Sequence, residues 1–129
     1  GNAVVGQRNA IAPPLPIVRG DDGSTSARLH LGPAYEGPPG MVHGGVSALL
    51  LDHLMGVTAS GMKKLTMTGT LSLRYVRPLP LGDIWLEGRV ASDIGRKVVV
   101  EATIGSDDGV AVQAEGLFIV PSWAELPAD

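Results

Sequence analysis

The sequence predicts an α+β domain in which one long apolar helix is wrapped by an antiparallel sheet. Three observations carry this. Val46 to about Gly61 form the one good helical run, with the segment VSALLLDHLMGVTAS, after a Gly-rich loop. Four alternating segments follow it, joined by links too short for parallel crossovers. The chain has 129 residues, 44% hydrophobic and 18% charged, enough for one domain (1–129) with an apolar core.

Residues 1–16 read as irregular, because Pro13, Pro14 and Pro16 break both helix and ladder. Gly20-Asp21-Asp22-Gly23 is a turn, and residues 25–31 alternate as a half-buried strand, hairpinned with 15–19. Residues 32–45 are loop, punctuated by Gly32-Pro33, Gly37-Pro38-Pro39-Gly40 and Gly44-Gly45. The helix from Val46 to about Gly61 is apolar on nearly every side and is expected to be buried all round. Thr66–Val76 sets Met67, Leu71, Leu73 and Tyr75 against Thr68, Thr70, Ser72 and Arg74. Ile84–Ala91, Lys97–Ile104 and Val110–Val120 alternate in the same way, with turns at Asp93–Gly95 and Ser106–Gly109. A helix followed by consecutive strands is an α+β layer architecture.

Composition excludes several function classes. A net charge of −3 with a pI near 5.5 speaks against binding nucleic acid by phosphate neutralisation and against a polybasic membrane-surface role. No apolar run approaches the roughly 18 residues of a membrane span, and the first residues lack the basic-then-apolar pattern of a leader. The absence of Cys removes disulfides, thiolate metal sites and a Cys nucleophile. A reducing, cytoplasmic setting fits.

The chemistry-bearing stretch is Gly37-Pro-Pro-Gly-Met-Val-His43-Gly44-Gly45, running into the helix that carries Asp52. Two glycines at a helix start let a substrate approach the first backbone N–H groups, which the helix dipole makes partly positive. Such a terminus suits a developing oxyanion, and equally a phosphate, or it serves only as a turn. Asp52 lies among leucines, where an unpaired charge is costly. It shares a face with Gly45, Leu49, Gly56 and Ala59, most of them small. Asp52 lies seven residues beyond Gly45, roughly 10 Å along the axis, too far for one carbonyl to contact both. If both act in one site, that site needs two antiparallel copies of the helix, hence a symmetric dimer. His43 is a candidate base, water orienter or donor, or else a cap. His53 reads as structural or interfacial and His30 as solvated. Three scattered His without Cys make no metal site.

These residues resemble the hotdog-fold thioesterase superfamily, particularly its PaaI-type acyl-CoA thioesterase branch. The resemblance runs from about Asn9 to Pro121. It rests on Asn9-Ala-Ile-Ala-Pro-Pro-Leu15, Tyr35-Glu-Gly-Pro-Pro-Gly-Met-Val-His-Gly-Gly45, Asp52 nine residues after His43, Leu71-Ser-Leu-Arg-Tyr-Val-Arg-Pro-Leu-Pro80 and Gln113-Ala-Glu-Gly-Leu-Phe118. It implies a long central helix wrapped by a curved antiparallel sheet, dimers joined edge to edge and often paired into tetramers, and sites at the dimer interface. It implies an acyl-CoA substrate, with Asp52 as general base or nucleophile. The Gly44 and Gly45 amides would polarise the thioester carbonyl from the other copy, and His43 would place the carbonyl or the water. Thr68 matches a Thr used by some members, but plain alternation points it away from Leu71 and Leu73, so its role requires a bulge near Gly69. Hydrolysis of this kind requires no metal or redox cofactor. Arg96, Lys97, Arg74 and Arg77 are candidates for the anionic nucleotide of CoA, and Leu49 and Met55 for the acyl group. The alternatives are a hotdog hydratase or dehydratase, whose second acid would fall at Val57, and a non-catalytic acyl-CoA binder, which has no need of Asp52.

Overall fold

The structure, a computed structural model, describes residues 14–62 and 65–123. Residues 1–13, which hold most of the expected irregular N-terminal segment, lie outside the described residues. Six strands and one helix follow: β1 (Val18–Arg19), β2 (Thr25–Leu31), α1 (Gly44–Ala59), β3 (Met67–Tyr75), β4 (Gly82–Ile94), β5 (Lys97–Ser106) and β6 (Gly109–Ile119). They form one sheet in the order β1-β2-β4-β5-β6-β3, antiparallel at every step. Helix α1 packs on β2, β3, β4, β5 and β6. Five strands spaced about 4.8 Å apart are wider than a helix of about 10–12 Å, so the sheet bends around it. This is the hotdog arrangement.

The core follows the alternation. Leu50, Leu51, Leu54 and Met55 of α1 are fully buried against Leu86, Val100, Ile104 and Phe118 of the sheet. Each such side chain contributes about 1.5–3 kcal/mol of transfer free energy. A polar contact crosses this core. The Thr25 and Thr58 hydroxyls meet at 2.6 Å, and Thr58 also donates to the Leu54 carbonyl at 2.7 Å. A side chain at Gly88 would strike the Thr25 hydroxyl at 2.9 Å, so this position in β4 has to stay bare.

Four expectations need correction. The hairpin partner of β2 is only two residues long rather than spanning 15–19, because Pro16 stops the ladder. The helix begins two residues early, at Gly44, because His43 caps it, and after Ala59 it tightens into a 3-10 turn at Ser60–Met62. Nor is it buried all round: Ala48, Leu49, Asp52, His53, Gly56 and Val57 stay half-exposed, since a single sheet covers one side only. Strand β4 also runs past Ala91 to Ile94 through an irregularity between Val90 and Ser92, which leaves Val90 exposed.

Candidate active site

The irregularity that Thr68 requires is present. Thr68 pairs with Phe118 and Thr70 with Leu117, so Gly69 is the extra residue of a bulge. The bulge flips the side-chain parity and turns Thr68 to the face of Leu71 and Leu73, toward the helix. There its hydroxyl donates to Asp52 Oδ1 at 3.1 Å. A side chain at Gly69 would meet the end of Ile119 at 2.8 Å and the Leu117 carbonyl at 3.2 Å, so a larger residue would have to displace Ile119. Asp52 itself is half-exposed on the uncovered stripe of α1.

The other half of the constellation lies at the helix start. His43 caps α1 twice: its carbonyl accepts the Val46 and Ser47 amides, and its Nδ1 accepts the Gly45 amide at 2.9 Å. An accepting Nδ1 places the ring proton on Nε2. Gly37 packs so closely on His43 that a Cβ there would lie 2.9 Å from its Cα, and the His43 amide donates to the Tyr35 carbonyl at 2.8 Å. The loop thereby fixes where His43 stands. The Tyr75 hydroxyl donates to the Gly44 carbonyl at 3.0 Å. Sequence reasoning gave Tyr75 no role, because only the antiparallel run of β3 beside α1 brings position 75 to position 44.

Strand β3 therefore grips the helix at two points, Thr68 on Asp52 and Tyr75 on Gly44. Within one chain these points stay apart, since Gly45 and Asp52 are about 10 Å from each other along the axis. The chain brings Asp52 and Thr68 together, and separately His43, Gly44 and Gly45.

The remaining candidates scatter. Lys97 is exposed at the start of β5, in register with Ile119, which pairs with Met67 beside Thr68. Two strand spacings, roughly 10 Å, separate the Lys97 backbone from that of Met67. Arg96, next to it, donates to the Pro121 carbonyl at 2.6 Å and so ties down the end of β6. Arg77 donates to the Asp108 carbonyl at 2.6 Å, at the β5–β6 turn. Arg74 faces the other side of the sheet, where it helps line a concavity of about 870 Å³ with Ser26, Glu87, Arg89, Glu101 and Gln113. Arg89 and Glu101 are ion-paired there. That concavity lies across the sheet from Asp52 and Thr68. Leu49 is half-exposed on the Asp52 stripe. Met55, expected to meet the acyl group, is fully buried in the core and supports the helix from behind. His30 pairs with Asp83 at 2.8 Å on the surface, and His53 is half-exposed. Among the described residues no group of three or more His, Asp or Glu is placed to hold a metal ion, and no helix is long and apolar enough to cross a membrane.

The helix-in-sheet fold, with an acid and a glycine start on its helix, defines a hotdog protein. A family model described as the thioesterase superfamily matches residues 39–113, more than half of the chain, and the chain belongs to that superfamily. The curated acyl-coenzyme A thioesterase THEM4 of Xenopus laevis is 37% identical over 91 residues, covering 68% of this chain and 41% of that protein. THEM4 of Rattus norvegicus is 37% identical over 94 residues, with 70% and 39% covered. The chain thus spans about two fifths of the length of the curated relatives it matches. Among solved structures, the thioesterase superfamily protein RHA08564 matches with a TM-score of 0.81 at 47% identity, over 90% of this chain and 61% of that one. The BH2602 protein of Bacillus halodurans, solved with CoA, matches with a TM-score of 0.73 at 28% identity, over 84% of this chain and 74% of that one.

Proposed function

We propose that this chain hydrolyses acyl-CoA thioesters to the free carboxylic acid and CoA, in sites formed by two copies. The observation that carries the reading is the Asp52–Thr68 pair on the one helix stripe that the sheet leaves uncovered. A carboxylate held there by one hydroxyl keeps a second oxygen for a water or a thioester carbon. The curated acyl-CoA thioesterases and the CoA-bound neighbour support the substrate class.

Strand β3 supplies the geometry for two copies. It is an edge strand of the sheet, with the Asp52–Thr68 contact at one end and the Tyr75–Gly44 contact at the other. Antiparallel pairing of β3 with its own copy, about an axis near Ser72, sets the acid end of one chain against the amide end of the other. Asp52 then takes a proton from water as that water attacks the thioester carbon, or attacks the carbon itself to form a mixed anhydride that water then hydrolyses to the free acid and the carboxylate. The carbonyl oxygen gathers negative charge facing the Gly44 and Gly45 amides of the second copy, and His43 orients the carbonyl or the water. The carbon–sulfur bond breaks and the CoA thiolate leaves, to be protonated. Leu49 lies where the acyl group enters. Lys97 faces the anionic nucleotide, whereas Arg96 and Arg77 are held by backbone carbonyls and Arg74 is turned to the other face of the sheet.

The test is a thiol-release assay over a panel of CoA esters. Asp52→Ala should keep its fold and its CoA-ester binding while turnover falls about a thousandfold or more, the scale of losing a base or nucleophile. Turnover near the wild-type rate in this variant would reject the catalytic role of Asp52, and no thiol release from wild type over the panel would reject the activity.

A further inference from the structure

We infer that Tyr75 is a positioning residue: its hydroxyl holds the Gly44–Gly45 peptide unit so that the Gly45 N–H, covered at rest by His43, faces the substrate carbonyl. The inference rests on the thioesterase reading above and extends it to a residue outside the acid, histidine and glycine constellation.

The observation is that a single peptide plane is held at both ends. Its oxygen, on Gly44, accepts from Tyr75 at 3.0 Å, and its N–H, on Gly45, donates to His43 Nδ1 at 2.9 Å. Both flanking residues are glycine. A peptide between two glycines has the least hindered backbone in the chain, and the N–H groups of a helix's first turn have no ladder partner to restrain them. The bare glycines that admit a substrate therefore also let the donor swing. Tyr75 offsets that freedom from outside the helix. Its ring lies 3.6 Å from where a Gly44 side chain would begin, so ring and hydroxyl together close one side of the unit. A hydrogen bond to the peptide oxygen also polarises the N–H at the other end of the plane.

His43 is the resting acceptor of that N–H. A side chain at Gly45 would lie 3.1 Å from the imidazole, so the ring covers the amide directly. An incoming carbonyl replaces Nδ1 as acceptor, one hydrogen bond exchanged for another, while Tyr75 keeps the plane from turning. Placement matters to rate more than to binding, because a misdirected donor loses the oxyanion and leaves the rest of CoA in contact.

Tyr75→Phe removes the hydroxyl and keeps the ring. We expect kcat to fall about fivefold, the worth of one partly exposed hydrogen bond. KM and the thermal midpoint should stay as in wild type. In ¹⁵N-labelled protein the Gly45 amide signal should shift and its hydrogen exchange should quicken, with the Thr68 amide as an unaffected reference. A kcat within twofold of wild type, or an unchanged Gly45 amide, overturns the inference. Asp52→Ala is measured beside it. Persistent turnover in that variant defeats the catalytic role of Asp52, and absence of thiol release from wild type defeats the thioesterase reading; in either case the Gly45 amide still decides the role of Tyr75.

Discussion

The two edges of the sheet are built in opposite ways. At one edge, β1 contributes two residues and stops, and its Arg19 turns back to donate to the Val57 carbonyl near the end of α1 at 2.8 Å. A short strand with a charge on it is how a protein blunts an edge against further pairing. At the other edge, β3 runs nine residues, with Met67 and Tyr75 more than half exposed at its two ends and Val76 exposed just beyond. A long edge with apolar ends invites a partner strand. That same edge carries both contacts to the candidate site. The difference teaches that under the proposed pairing the site and the pairing edge are one feature, while the far edge is short and tied back to the helix by Arg19.

The comparison breaks most visibly if the β3 edge is charged. Met67→Glu combined with Val76→Glu should shift sedimentation from dimer to monomer and lower hydrolysis at least tenfold at low protein concentration, since like charges meet across the pairing axis. Val18→Glu, on the blunt edge, should change neither. Equal effects at both edges would dissolve the distinction. Next comes Thr68→Val, which removes the hydroxyl from Asp52. It should lower kcat about tenfold with the fold intact, a loss that fits a hydrogen bond to a charged group, and Thr68→Ser should restore most of it. A smaller effect belongs to Lys97. Lys97→Ala should raise KM several-fold for CoA esters and far less for esters lacking the nucleotide, because only the former carry the phosphates it would meet. The smallest sits on the blunt edge. Arg19→Ala should reduce stability by about 0.5–1.5 kcal/mol in denaturant melts and leave kcat and KM alone, as expected for losing a hydrogen bond at a helix C-terminus.

Much of this was legible residue by residue. The alternation of Leu86, Gly88, Val98, Val100, Ala102, Val112 and Ala114 gives strands with one buried face, because a period of two leaves no other choice. The His43-Gly44-Gly45 start and the isolated Asp52 stood out because each breaks a local rule of helix composition. Other features were hidden. Gly69 permits a bulge, but whether the ladder slips there depends on β6 opposite it. Met55 sits in the same apolar run as Leu49, and only packing puts one in the core and the other on the open stripe. The helix was too uniformly apolar to tell which side the sheet would cover. Arg96 and Arg77 looked free for a ligand until the fold brought backbone carbonyls to them.

By itself, then, the sequence determined the element types, the single core and the need for two copies in any site using both Asp52 and Gly45, since helical rise and side-chain period are local geometry. Tertiary structure alone decided which strand borders the helix at both Asp52 and Gly44. That choice depends on the order β1-β2-β4-β5-β6-β3, where a strand adjacent to the helix in sequence lands at the far edge of the sheet. Contacts between residues far apart in the chain are set by how the whole sheet closes on its helix, and no local pattern encodes them.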